Sequence, residues 1–429
     1  MKKVLIITYY WPPSGGAGVQ RWLKFTKYLP EFGWQPIIYT PENPDFSTKD
    51  ESLLKEIPKE TEVIKTKIWE PYNLHKTFSG KQSDSANAGF FAGGKKSWKQ
   101  KVSIFIRGNF FIPDPRVFWV KPSIKYLKKY LLENPVDAIV STGPPHSMHL
   151  IALGLRKHFP NIKWIADFRD PWTEIDFYHD LQLTSWADKK HKRLEHEVLK
   201  NADEVVVVGN QMATQFLKIN SNVSVIYNGY DEDDFSNLRK KNNEAIDIVY
   251  IGSMNKDRHY KEFWQALSKL IEEDRELLNK LKVKIIGNVD GSIKDYISSL
   301  AIDERAEFIN YMPHKDAIEE MQNARLLYLP INNVPSAKFI LTGKLFEYLA
   351  VKKPILCIGP KDGDAAIIIK ETNSGVVFER SEQKELHEWL KNLLSSKQHN
   401  FTFTNTEKFS RKELTKELVK ILQKKNNLH

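Results

Sequence analysis

The sequence predicts an α/β protein made of two parallel-sheet halves. A strand, a glycine-rich loop and an amphipathic helix follow one another from Val4 to Phe32, and the same alternation returns between Asp247 and Phe378. A chain of 429 residues also exceeds one typical core, so two domains are expected.

In the first half, Val4–Tyr10 reads as a strand and Trp11–Gly18 as a Pro/Gly loop. Val19–Phe32 reads as a helix burying Trp22, Phe25, Leu29 and Phe32, and Pro36–Thr40 as a second strand. The loop Ser14-Gly15-Gly16-Ala17-Gly18 lets backbone approach a ligand at a helix N-terminus, or serves as a plain tight turn. It fails the dinucleotide fingerprint, because Arg21 stands where the third glycine belongs and no acidic residue closes the second strand.

The rhythm breaks over about 69–117, which reads as an insertion; Ser79–Lys101, rich in Gly, Ser, Asn and Lys, is expected to be a mobile loop. From Trp98 to Ile112, cations surround bulky apolar side chains. Such a segment can lie in a membrane interface with its cations toward anionic head groups, or Ile104, Phe105, Phe110 and Phe111 can pack on the domain; both readings stand.

Regularity resumes with a helix near Lys121–Leu132, the strand Ala138–Thr142, the loop Gly143-Pro144-Pro145-His146 and a helix from Ser147. The next strand, Trp164–Phe168, ends in Arg169-Asp170-Pro171-Trp172. Ligands of open α/β sheets gather at the carboxyl ends of strands, so His146, Arg169 and Asp170 are expected to face one crevice. His146 and Asp170 could instead be structural caps, since Ser147 begins a helix and Asp170 precedes a proline. A helix near Thr184–Lys200 and the strand Glu204–Val208 complete this sheet, and Val223–Asp234 reads as the crossing to the second domain. Within it Asp231, Asp233 and Asp234 look like a solvated stretch rather than a metal site.

In the second half, strands are legible at Asp247–Ile251, Val283–Ile286, Leu326–Leu329, Ile355–Ile358 and Val376–Phe378. The most informative stretch is Thr342–Ala350. Thr342 is a suitable N-cap, and Leu345 with Leu349 and Phe346 with Ala350 give helical apolar spacing. Glu347 lies off that stripe, one turn beyond Gly343, where free backbone N–H groups attract phosphate. It is either a ligand-facing carboxylate or a solvated helix glutamate. A helix near Lys384–Leu394 and an amphipathic Phe409–Leu422 end the chain.

A formal net charge of +10 favours anionic partners such as nucleotide phosphates or acidic lipids. Nucleic acid is the weakest candidate, because the cations are dispersed and there is no zinc-finger spacing or RNA-binding aromatic signature. The single Cys357 rules out an intrachain disulfide and suits a reducing compartment. Met1-Lys2-Lys3 with the short run Val4–Ile7 reads as a first strand and not a signal peptide, and no window approaches a membrane span. A cytoplasmic location is expected.

Together the glycine-rich loop, Asn228-Gly229-Tyr230-Asp231, Tyr250-Ile251-Gly252-Ser253 through Arg258, and Lys344–Ala350 followed by Pro354 resemble the GT-B glycosyltransferases of the retaining family 4 type. The resemblance covers both halves. It implies two Rossmann-like domains facing each other across a cleft: an acceptor domain over 1–226 joined by a returning C-terminal helix over 405–429, and a sugar-nucleotide domain over 227–404. It implies that Glu347 accepts hydrogen bonds from the ribose, and that Gly343 and Lys344, with Gly15 and Gly16, meet the diphosphate. Gly252 closes the strand leading to Arg258, which stands where the family has a phosphate-binding lysine. Transfer would proceed by front-face attack, with neither metal nor cofactor; Asp170 or His146 would orient the acceptor hydroxyl or accept its proton, and Arg169 would hold Asp170 or bridge toward phosphate.

Three departures qualify the likeness. Ser253 replaces an arginine, Phe339 replaces the family's first glutamate, and Arg169 replaces a histidine, which points to a divergent branch with a DFRDPW loop. The expected function is transfer of a sugar from a nucleotide donor to a glycan or lipid-linked acceptor in surface-polysaccharide assembly, with 98–112 either attached to the inner face of the plasma membrane or packed on the domain. A sugar-nucleotide 2-epimerase of the same fold and a non-catalytic, membrane-attached sugar-nucleotide binder remain alternatives.

Overall fold

Short apolar runs buried on both faces form two parallel sheets in the computed structural model, which describes residues 1–46, 48–70, 98–175, 178–236, 238, 246–310, 312–395 and 400–424. Two compact units result, one of Met1–Asn228 with Arg411–His429 and one of Gly229–Ser410.

The first unit holds β1 (Lys2–Ile7), β2 (Trp34–Pro41), β3 (Glu62–Thr66), β4 (Ala138–Gly143), β5 (Lys163–Phe168), β6 (Glu204–Val207) and β7 (Val223–Val225) in the order β3-β2-β1-β4-β5-β6-β7. Every pairing is parallel, for example Val4 opposite Pro36 and Ala138. Its principal helices are α1 (Ala17–Tyr28), α2 (Trp98–Phe110), α3 (Val117–Glu133), α4 (Ser147–Arg156) and α5 (Ser185–Asn201). The α-helix expected over Val19–Phe32 stops at Tyr28, and Leu29–Phe32 forms a 3₁₀ turn closed by Gly33 at φ 81°. Pro30 supplies no N–H, so the α-helical ladder cannot continue through it.

Most of the loop expected over Ser79–Lys101 lies outside the described residues, but its last residues, from Trp98, are not loop: they open α2. The chain crosses between strands in opposite directions at β1 and β4, and this switch point opens a crevice at the carboxyl ends of the strands.

The second unit orders β8 (Ile246–Ile251), β9 (Leu281–Ile286), β10 (Ala306–Ile309), β11 (Leu326–Pro330), β12 (Ile355–Ile358) and β13 (Gly375–Phe378) as β10-β9-β8-β11-β12-β13, again all parallel. Helices α6 (Lys261–Glu273), α7 (His314–Asn323) and α8 (Gly343–Val351) matter most below. Its switch point lies between β8 and β11. Phe263, Trp264, Leu267, Tyr328 and Leu390 are among the residues of its core. Asp231, expected in a solvated stretch, is only 3% exposed and accepts a hydrogen bond from Asp233 N at 3.3 Å. It caps the 3₁₀ turn Glu232–Phe235, so its burial follows from a backbone role.

The chain then returns to the first unit with α9 (Arg411–Gln423). Leu414, Leu418, Val419 and Leu422 of α9 join Trp22, Phe25 and Leu29 in one buried cluster, so the returning C-terminal helix packs on the N-terminal domain as expected.

Candidate functional site

In the second unit the loops after β8 and β11 meet at the switch point. Gly252 leaves β8 at φ 114°, a conformation suited to glycine, and its N–H donates to Ile286 O at 2.7 Å. The chain then turns through Lys256–Arg258 and brings Arg258 back over the strand end. Arg258 Nε donates to Asn332 Oδ1 at 2.6 Å, and Nη1 donates to Ser253 O at 2.6 Å and to the Tyr250 hydroxyl at 3.3 Å. Tyr250 in turn donates to Ser253 O at 2.6 Å. Asn333 N donates to Asp257 O at 2.8 Å, tying the two loops a second time.

Helix α8 delivers the second cation. Lys344 Nζ lies 4.2 Å from the centre of the Tyr250 ring and 2.7 Å from where a Cβ on Gly252 would sit. The residue is partly exposed, but its amine is turned inward, and burial, reinforced by Arg258, holds its pKa well below the usual lysine value against the pull of Glu347. Among the described residues neither Arg258 nor Lys344 has an ion-pair partner. Arg258 at the Tyr250 hydroxyl and the buried Lys344 amine over its ring suit an anion with more than one charge, which would also favour the protonated lysine. Leu345, Phe346, Tyr348 and Leu349 seat α8 in the core; Tyr348 accepts from Ile251 N at 3.3 Å and donates to Tyr328 O at 3.3 Å. Glu347 stays on the open side, as the off-stripe spacing requires, with His314 Nε2 2.9 Å from its Oε1. Thr342 occupies the N-cap position without capping, since its hydroxyl makes no hydrogen bond to the first turn. That turn therefore keeps its N–H groups at Gly343 and Lys344. Phe339 lies in the 3₁₀ turn Ala337–Phe339, partly buried, and offers the site no carboxylate.

In the first unit the polar residues at the strand ends have different characters. Arg169 spends its guanidinium on backbone: Nε donates to Gly143 O at 3.3 Å, Nη1 to Gly18 O at 2.6 Å and Nη2 to Pro144 O. It pins the loop after β4 to the start of α1. His146 is 8% exposed, its ring stacked 4.9 Å from Trp172 at an interplanar angle of 3°. Burial, with His149, Arg169 and His191 nearby, drives its pKa well down, so the imidazole is neutral. It does not cap α4; Asp114 does, accepting from Ser147 N and Oγ at 2.9 Å each. Asp170 is exposed beyond the end of β5. Gly16 sits at φ 81° before α1, whereas Gly15 N–H is already committed to Thr48 O at 2.9 Å. Beneath them Asp167 accepts from Arg21 Nη2 at 2.8 Å, Trp22 Nε1 at 2.7 Å and Thr142 Oγ1 at 2.8 Å, a buried ion pair with its lone pairs filled. Among the described residues no group of three His, Cys, Asp or Glu stands together as metal ligands.

The family described as "Glycosyl transferases group 1" matches residues 231–408, and "Glycosyltransferase Family 4" matches residues 90–234. The chain is a glycosyltransferase. The first match coincides with the unit that carries Arg258, Lys344 and Glu347. No curated protein matches this glycosyltransferase. Among solved structures, a sucrose-phosphate synthase from Thermosynechococcus elongatus is 11% identical over 98% of each chain with a TM-score of 0.62. Anabaena HepE in complex with UDP-glucose is 13% identical over 98% of this chain and 99% of its own, with a TM-score of 0.61. A putative UDP-N-acetylglucosamine 2-epimerase from Listeria monocytogenes is 9% identical over 97% of this chain and 94% of its own, with a TM-score of 0.56. At such identities the likeness speaks for the fold, which is GT-B.

The glycosyltransferase thus brings Gly252, Arg258, Gly343, Lys344 and Glu347 together in one unit, and Gly16, His146, Arg169 and Asp170 at the strand ends of the other. Sequence reasoning missed Tyr250, Asn332 and His314. Tyr250 and Asn332 lie at the carboxyl ends of β8 and β11, the one signal that could have found them.

Proposed function

We propose that this glycosyltransferase moves a sugar from a nucleotide donor to a glycan or lipid-linked acceptor in surface-polysaccharide assembly, with retention of configuration and without a metal. The observation that carries the donor side is the pair of basic side chains, Arg258 and Lys344, at the N-terminus of α8, neither of which forms an ion pair among the described residues. They hold the diphosphate and stabilise it as charge builds on leaving, a task that helix N–H groups at Gly343 and Lys344 share. Glu347 accepts from the ribose diol. Gly16 is assigned to the same phosphates on family resemblance. On the acceptor side, Asp170 orients the attacking hydroxyl or takes its proton, neutral His146 supports that loop, and Arg169 acts by holding the backbone in place.

A membrane-bound acceptor is supported by α2. Trp98, Val102, Phe105, Ile106 and Phe110 recur at helical spacing and are 71%, 46%, 39%, 42% and 70% exposed, while Ile104 on the same helix is buried. One face thus packs on the unit, and the other presents an apolar stripe beside Lys101 and Arg107, fitted to an anionic bilayer surface. No helix among the described residues is long and apolar enough to cross a membrane.

Thermal-shift screening of UDP-, GDP-, ADP- and CDP-sugars identifies the donor, since a ligand of the native state raises Tm. Transfer to membrane extract, with and without EDTA, and NMR of the product's anomeric carbon then test acceptor, metal independence and retention. Turnover of the donor with no acceptor, giving a 2-epimer, contradicts the transferase reading. Flotation with anionic liposomes that survives Phe105→Glu with Ile106→Glu contradicts the membrane reading.

A further inference from the structure

His314 opens α7 immediately after Pro313, and α7 packs beside α8 within the same unit. Its Nε2 stands 2.9 Å from Glu347 Oε1. A carboxylate only accepts, so Nε2 carries the proton and donates. Among the described residues this imidazole is the only hydrogen-bond partner of the Glu347 carboxylate. The carboxylate is 26% exposed, and whatever rotamer freedom it keeps is a freedom that ligand binding would have to remove.

We infer that His314 is a positioning residue for nucleoside-diphosphate recognition: its N–H fixes the Glu347 carboxylate in the orientation that receives the vicinal hydroxyls of the ribose. The inference rests on the reading of Glu347 as the ribose-binding group. The acceptor capacity fits. An ionised carboxylate offers about four lone-pair sites, of which the imidazole uses one, and a vicinal diol needs two. A hydrogen bond from His314 that holds the Glu347 carboxylate in one orientation lowers the ordering cost of binding, so affinity gains by preorganisation. The effect falls chiefly on the ribose, because neither Arg258 nor Lys344, the residues assigned to the phosphates, hydrogen-bonds to His314; only the electrostatic pull of Glu347 on Lys344 links the two.

Calorimetry with UDP, GDP, ADP and CDP first identifies the nucleotide that binds; the same nucleotide and its 2′-deoxy form are then titrated into the native protein, Glu347→Ala, His314→Ala and His314→Gln. The native protein should prefer the ribose form about tenfold or more, and Glu347→Ala should abolish that preference. His314→Ala should weaken the ribose form roughly fivefold to tenfold and the deoxy form less than twofold. His314→Gln, whose amide N–H reaches the same carboxylate, should restore the ribose form to within about twofold of native. If Glu347→Ala behaves as expected but His314→Ala is native-like, weakens both forms equally, or is not rescued by glutamine, the inference is overturned and the ribose role of Glu347 stands. If Glu347→Ala keeps the ribose preference, or none of the four nucleotides binds, both fall.

Discussion

Arg258 and Asn332 are joined by a 2.6 Å hydrogen bond that bridges the loop after β8 to the loop after β11, so the guanidinium is aimed from both sides of the switch point. Asn332 is 6% exposed, and its amide oxygen is spent on the guanidinium. Asn332→Ala should therefore weaken nucleoside-diphosphate binding about fivefold through loss of aim, and Arg258→Ala about fiftyfold through loss of charge. Calorimetric titration of both variants checks the order.

Lys344 makes a pH prediction. Its free-state pKa is depressed, and a bound diphosphate would raise it, so binding should take up a proton. Affinity should then fall as pH rises from the depressed free-state pKa toward that of the bound form, and the apparent binding enthalpy should depend on the ionisation heat of the buffer. Lys344→Met should bind weakly with no buffer dependence.

Two glycines should respond oppositely. A Cβ on Gly252 would lie 2.7 Å from Lys344 Nζ at a backbone φ of 114°, whereas one on Gly343 would meet nothing within 4 Å. Gly252→Ala should cost about 1–2 kcal/mol of stability and displace Lys344, with more than roughly tenfold loss of diphosphate affinity. Gly343→Ala should leave Tm within about a degree or raise it, as alanine favours helix. Thermal denaturation separates the two.

Acid sensitivity should trace to the first unit. His149 is fully buried, its Nδ1 2.9 Å from Ser141 Oγ, and burial lowers its pKa to about 3. Below about pH 6.5 the unfolded chain binds a proton that the folded chain refuses, so this contribution is complete above that pH and is lost on acidification, by roughly 1.4 kcal/mol per pH unit. His146 adds in the same direction. Denaturant titrations between about pH 7 and 4 should show this slope, reduced by about one proton's worth in His149→Gln.

What the sequence revealed depended on burial. Both sheets were legible because their central strands are near-continuous apolar runs, and Glu347 stood out because it interrupts such a pattern. The strands that escaped notice, β3, β7 and β10, are all sheet edges: Glu62-Val63-Ile64-Lys65-Thr66, Val223-Ser224-Val225 and Ala306-Glu307-Phe308-Ile309. An edge strand is short and half solvated, so its polar residues break the run that marks a buried strand. His314 was hidden for another reason. It lies 33 positions from Glu347, and only the packing of α7 beside α8 makes them neighbours.

Helix α9 has a consequence for how the protein is made. Leu414, Leu418, Val419 and Leu422 seal the cluster around Trp22 and Phe25, yet some 180 residues of the other unit are synthesised between the two parts. Translation runs from the N-terminus at about 5–20 residues per second, so the first unit waits many seconds with an apolar face uncovered while the second is still emerging. The nascent chain at that stage is a natural client for a chaperone, and a ribosome stalled before residue 411 would leave a first unit unable to close.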